Sequence, residues 1–185
     1  MLELMSCGLG GDPFALVWDP KTGTLHGYNG SGRSPAALTI DKVPAQADGT
    51  IPVYSPYAWS VPGAVDGWFA LHDRFGALPM KAVLSPAAAM AREGAPVPEV
   101  IAAAWADEAR ELADKPGFAE VFLPGGHAPH VGELFANPAL ARTMELLAAD
   151  GREDATPGLS VSILPMGEEP CRLRVVEDEP DHVVA

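Results

Sequence analysis

Apolar and polar positions follow one period early in the chain and another after it. Phe14-Ala15-Leu16-Val17-Trp18 is a short apolar run, and Thr24-Leu25-His26-Gly27-Tyr28 follows it across Asp19-Pro20-Lys21-Thr22-Gly23. Proline presets φ near one end of that connection and glycine accepts a positive φ at the other, so the pattern predicts a β-hairpin. Asn29-Gly30-Ser31-Gly32-Arg33-Ser34-Pro35 comes next, a loop whose glycines let backbone approach a ligand closely and whose far end carries one cation. Residues 41–62 are rich in Pro, Gly and short polar side chains and read as irregular.

After Pro62 the period lengthens. Val65, Trp68, Phe69, His72 and Phe75 recur at three- and four-residue spacing before Gly76, which predicts an amphipathic helix with its stripe in a core. Ser85-Pro86 reads as an N-cap and first helical residue, with Ala87 to Glu93 as body and Gly94 as the stop. Val97, Ile101, Ala104, Trp105 and Leu112 line one face of a third helix that Pro116-Gly117 ends, with Asp107, Glu108, Arg110 and Glu111 mostly on its other, solvated side. Asn137-Pro138 opens a fourth, with Leu140, Met144 and Leu147 as the stripe and Asp150-Gly151 as the end. From about Thr156 the residues turn to Gly, Pro and acids, and only Leu159 to Leu164 and Leu173 to Val176 suit short strands. The reading is an α+β chain, helix-rich from about residue 62 to 151, with a domain over 1–155 and a divergent acidic tail over 156–185.

Composition narrows the function classes. The chain has 185 residues, 48% hydrophobic and 20% charged, enough to bury a core and suited to one domain. A formal net charge of −13 repels phosphate backbones and anionic membranes, so neither nucleic acid nor a membrane is expected as a partner. No run reaches the roughly 18 apolar residues of a membrane helix, and Met1 to Asp12 lacks the basic start and apolar stretch of a secretory signal. As written the chain is expected in the cytoplasm, although a longer precursor could be exported. Cys7 and Cys171 are too few and too far apart for a disulfide framework or a thiolate metal site.

Several side chains invite chemistry, and most have a plainer reading. Ser31 sits between two glycines, but a nucleophile elbow needs glycine two residues away on each side, where Asn29 and Arg33 stand. Gly8, Gly10 and Gly11 suggest a phosphate loop, yet they precede a strand instead of opening a helix, which favours a structural turn. His127 and His130 have a spacing that binds metal only with further ligands, and with no third histidine or cysteine near they read as a solvent loop. Asp107-Glu108 and Glu168-Glu169 are ordinary acidic pairs, so no catalytic residue, metal site or cofactor is assigned. Arg33 differs in kind, because a guanidinium on a glycine-framed loop offers the donor fork that grips a carboxylate bidentately.

Seven stretches in order then resemble one family. They are Cys7-Gly8-Leu9-Gly10-Gly11-Asp12-Pro13-Phe14 leading to Asp19-Pro20-Lys21-Thr22-Gly23; Asn29-Gly30-Ser31-Gly32-Arg33-Ser34-Pro35; and Val61-Pro62-Gly63-Ala64-Val65-Asp66-Gly67-Trp68. Arg74-Phe75-Gly76-Ala77-Leu78-Pro79, Leu84-Ser85-Pro86-Ala87 and Ala91-Arg92-Glu93-Gly94 continue the series, which Gly132-Glu133-Leu134 and Asn137-Pro138-Ala139-Leu140-Ala141-Arg142-Thr143 close. From about Glu3 to Ala155 the chain resembles the large subunit of gamma-glutamyltransferases, also called gamma-glutamyltranspeptidases.

That resemblance implies part of an N-terminal nucleophile hydrolase, an αββα sandwich made as a precursor that cleaves itself into two subunits. It implies a gamma-glutamyl donor such as glutathione, attack by the threonine that begins the small subunit, and that threonine's α-amino group as base. Arg33 matches the arginine that holds the α-carboxylate of the glutamyl group. Ser34 stands where the family normally has an acid, which leaves substrate preference open. The chain lacks the family's segment before the glycine turn and, after Ala155, the processing site and small subunit. Thr156 is followed by Pro157 and has no family-like threonine motif around it. The expectation is a partial large subunit, inactive alone, whose partner is a threonine-bearing small subunit. The alternatives are a non-catalytic binding or scaffold protein, or a gene fragment.

Overall fold

The structure, a computed structural model, describes residues 7–44 and 48–155. They fall into two compact units, Leu9–Phe75 and, with Cys7 and Gly8, Gly76–Ala155. The expected tail strands, Cys171, Glu168-Glu169 and Thr156 lie outside the described residues.

The first unit opens with the expected hairpin. β1 (Phe14–Asp19) pairs antiparallel with β2 (Thr24–Asn29), Phe14 opposite Asn29 and Asp19 opposite Thr24. Asp19 organises the turn: Oδ1 accepts the Lys21 amide at 2.9 Å, Oδ2 accepts the Thr22 hydroxyl at 2.9 Å, and its carbonyl accepts the Gly23 amide at 2.9 Å. These bonds to the charged form, the Lys21 amide foremost, hold the Asp19 carboxyl below the usual carboxylate range. Alternation along β1 puts Phe14, Leu16 and Trp18 on an exposed face, with Leu25 directly opposite Trp18. Ala15, Val17, His26 and Tyr28 occupy the other, half-buried face.

The described residues of 41–62 are irregular as expected, apart from single 3-10 turns at Ile40–Lys42 and Pro56–Ala58. α1 (Ala64–Phe75) follows, with Ala64, Gly67 and Phe69 buried and Val65, Trp68 and His72 half-buried. The expected stripe is therefore inward except at Phe75, which stays at the rim and packs on His26 with ring centroids 5.4 Å apart.

The second unit consists of α2 (Met80–Glu93), β3 (Ala95–Pro96), α3 (Glu99–Leu112), α4 (Phe118–Phe122), β4 (Leu134–Phe135) and α5 (Pro138–Ala155). α2 lies along α5, where Leu84, Ala88 and Ala91 are buried with Ala141, Met144 and Leu147. α5 starts as expected, the Asn137 side chain accepting the Leu140 amide at 2.9 Å. Gly151 breaks the helical path inside α5 with φ 75° and ψ −169°. β3 pairs antiparallel with β4, and Val97 extends the ladder through its amide to the Glu133 carbonyl and its carbonyl from the Gly132 amide. Behind that ladder Val97, Ala102, Trp105 and Phe135 form a buried cluster. Trp105 sits edge-on to Phe135 at 4.7 Å and donates its indole N–H to the Phe122 carbonyl at 3.0 Å, so its polar handle is satisfied.

Two expectations need correction, and some short elements had none. α2 begins at Met80, not at Ser85, and Pro86 lies inside it. An interior proline costs about 3 kcal/mol through its missing N–H, but Leu84, Ala88 and Ala91 share a face, and burying Leu84 alone returns roughly 1.5–3 kcal/mol. In α3 Ala102 is buried while Ala104 is half-buried, and Val97 precedes the helix as part of the ladder. α4 and the two-residue strands were not anticipated, since elements so short carry no periodicity.

Candidate functional site

The loop after β2 is built from four segments of the first unit. Asp12, in the turn before β1, is its hub: Oδ1 accepts the Gly32 amide at 2.8 Å and the Ser60 hydroxyl at 3.1 Å, and Oδ2 accepts the Ser31 hydroxyl at 3.4 Å. The Asn29 side chain accepts the Ser31 amide at 3.0 Å, and the Pro13 carbonyl accepts the Gly30 amide at 2.9 Å. On the far side the Arg33 carbonyl accepts the Val61 amide at 2.8 Å. The segment leading into α1 is tied to the same turn, the Gly11 carbonyl accepting the amides of Gly63 at 3.1 Å and Ala64 at 2.9 Å. Ser31 and Gly32 are thus bonded to Asp12 or Asn29, and Gly30 and Arg33 are held through Pro13 and Val61.

Two glycines are demanded by close backbone approach. A Cβ on Gly32 would run into the Val61 carbonyl, and one on Gly63 would run into the Gly30 carbonyl. Neither obstacle is a flexible side-chain end, so both residues must remain glycine for the strands of backbone to lie this close. The cradle fixes the backbone on both sides of Arg33, while the Arg33 side chain itself is exposed. An exposed guanidinium rooted on a fixed backbone is suited to bidentate capture of a carboxylate.

The other candidates land elsewhere. Ser31 spends its hydroxyl on Asp12, which makes it part of the cradle. Gly8, Gly10 and Gly11 form the turn before β1 and open no helix. Asp107 pairs with Arg110 at 2.7 Å on the exposed side of α3, as expected of a solvated face. His127 and His130 are exposed, but their rings stack and Glu133 lies beside them. Asp12, Ser60 and Val61 were missed as site-building residues. Their signal is non-local: Asp12 reaches residues 19, 20 and 48 positions away.

Comparison with known proteins converges on one group. A family model described as gamma-glutamyltranspeptidase matches residues 1–157. Over 150 residues the chain is 38% identical to the oxamate amidohydrolase proenzyme of Klebsiella pneumoniae, covering 78% of this chain and 28% of that one. It is 37% identical to the glutathione hydrolase-like YwrD proenzyme of Bacillus subtilis, covering 78% and 27%. Among solved structures it resembles cephalosporin acylase from Bacillus halodurans, with a TM-score of 0.72, 38% identity and coverage of 81% and 29%. It also resembles gamma-glutamyltranspeptidase from Pseudomonas nitroreducens complexed with L-DON, with a TM-score of 0.70, 27% identity and coverage of 83% and 45%. The chain therefore spans less than a third of the curated relatives it matches, and its α+β elements are part of the N-terminal nucleophile hydrolase sandwich.

Proposed function

Because this chain belongs to the gamma-glutamyltranspeptidase family, we propose that it supplies the donor-binding part of an enzyme that transfers or hydrolyses gamma-glutamyl groups of glutathione-like compounds. The observation that carries the reading is the cradle around Arg33, held from Asp12 on one side and Val61 on the other. Arg33 grips the donor's α-carboxylate through two parallel N–H bonds, which fixes where that end of the donor sits. A threonine at the start of a small subunit attacks that carbonyl, its own α-amino group taking the hydroxyl proton. The leaving amine departs with a proton, and water or an amino acid resolves the acyl-enzyme. Without that threonine the covalent route is closed, so the chain alone is silent.

A second donor class is favoured by Ser34 and by the name of one relative, the oxamate amidohydrolase proenzyme. A gamma-glutamyl end is zwitterionic, and the neutral Ser34 hydroxyl does less for an ammonium than an acid would. An oxamate-type donor carries a carboxylate and an amide but no ammonium, and Arg33 serves it equally well. Steady-state kinetics of the chain paired with a family small subunit test both readings. Arg33→Lys keeps the charge and loses the fork, at roughly 1.5–3 kcal/mol, so kcat/KM for a gamma-glutamyl anilide falls about 10- to 100-fold. Full activity in Arg33→Ala removes Arg33 from the donor site.

A further inference from the structure

We propose that His127, His130 and Glu133 bind a first-row divalent transition-metal ion, zinc foremost. One ligand atom from each lies within 4.8 Å of the other two, and the two imidazoles stack at 5.0 Å with planes 19° apart. Tetrahedral zinc, with bonds of about 2.0–2.1 Å, sets its ligand atoms about 3.4 Å apart, so the set closes by moving its atoms about 1.4 Å at most. Rotation of exposed side chains covers that distance, and His127 and His130 are both exposed.

The backbone beneath them is already fixed. Pro129, between the two histidines, is buried and anchors the loop. The Glu133 carbonyl accepts the Val97 amide at 2.9 Å, and the His130 carbonyl accepts the Glu133 amide at 3.0 Å. Glu133 Oε2 accepts the His130 amide at 2.8 Å, which holds its carboxylate beside the histidines, one of its oxygens within 4.8 Å of a ring nitrogen of each. His127 Nδ1 lies 2.9 Å from the Ala128 carbonyl. A carbonyl has no proton to give, so Nδ1 carries it and Nε2 presents a lone pair, the outer-sphere arrangement that orients ligating histidines.

Two neutral imidazoles and one carboxylate favour zinc, nickel or copper over magnesium or calcium, which want oxygen ligands throughout. Three protein ligands leave a further position for water. Bound there, the ion ties the loop after α4 to β4, a tie local to the second unit and independent of Arg33.

The test is cobalt(II) titration of the tag-free, metal-stripped 185-residue chain, followed by zinc displacement. One equivalent of cobalt(II) should give the visible d–d bands of a four-coordinate site, and zinc should bleach them. His127→Ala, His130→Ala and Glu133→Gln should each weaken binding by at least the 10- to 100-fold that loss of an outer-sphere partner costs, with unchanged circular dichroism. His72→Ala should leave it intact. No cobalt bands, or bands that survive His127→Ala with His130→Ala and vanish instead with His182→Ala or Cys7→Ala, would overturn the assignment.

Discussion

The two units bury their apolar side chains to very different degrees. In Gly76–Ala155, Trp105 is 3% exposed and Leu147 0%, and the α2–α5 pair and the Trp105 cluster each close on themselves. In the hairpin of the other unit Phe14 is 68% exposed, Leu16 76% and Trp18 60%. β1 is thus apolar on its outer face and half-buried on its inner one, and a two-stranded ribbon has two open edges. The two curated relatives compared above are each more than three times the length matched here. The helical unit carries its own core. The hairpin unit carries a loop held by hydrogen bonds from Asp12 beside a ribbon whose outer face is exposed.

The sharpest way to break this contrast is to truncate one tryptophan in each unit. Trp105→Ala should cost about 3–5 kcal/mol and abolish a cooperative melt followed by circular dichroism. Trp18→Ser should leave the melt within about 0.5 kcal/mol while lowering self-association in size-exclusion runs, because it removes an exposed apolar side chain. Equal losses would show that both units share one core. Next in size is Gly32→Ala, whose methyl must displace the Val61 carbonyl at a cost of about 1–3 kcal/mol. It should abolish gamma-glutamyl hydrolysis by the paired enzyme yet leave Trp105 fluorescence unchanged, whereas retained activity would detach the cradle from function.

The smallest expected effect is acid loosening of the β1–β2 turn. The Asp19 carboxyl titrates lower in the folded chain than in the unfolded one, so its contribution is present above the unfolded pKa and is lost as pH falls through the folded value. The Lys21 amide resonance should follow that acid titration and lose its pH dependence in Asp19→Asn. A Lys21 amide that titrates at the ordinary carboxylate pH would contradict the hydrogen-bonded turn.

What the sequence made legible was local. The hairpin turn and the Asn137 cap are written in adjacent residues, and both stand where expected. The start of α2 was misplaced because Ser85-Pro86 has the local look of a cap, while burial against α5 carries the helix straight through it. Arg33 was visible in the sequence as a candidate because a guanidinium on a glycine-framed loop offers a bidentate donor fork. Asp12 and Glu133 were not, because their contacts arise only when distant segments, or two sides of one loop, meet in space. The resemblance to the family was legible through the order of its stretches, and the family match bears it out.

The central claim is that this chain holds the donor while another supplies the nucleophile. Gamma-glutamyl anilide hydrolysis should be measured for the chain alone and for the chain paired with a family small subunit, with the acyl group traced by mass spectrometry. The account predicts silence alone, and in the pair activity with the glutamyl group on the small subunit's first threonine. Hydrolysis by the chain alone that survives both Ser31→Ala and Thr156→Ala would contradict it.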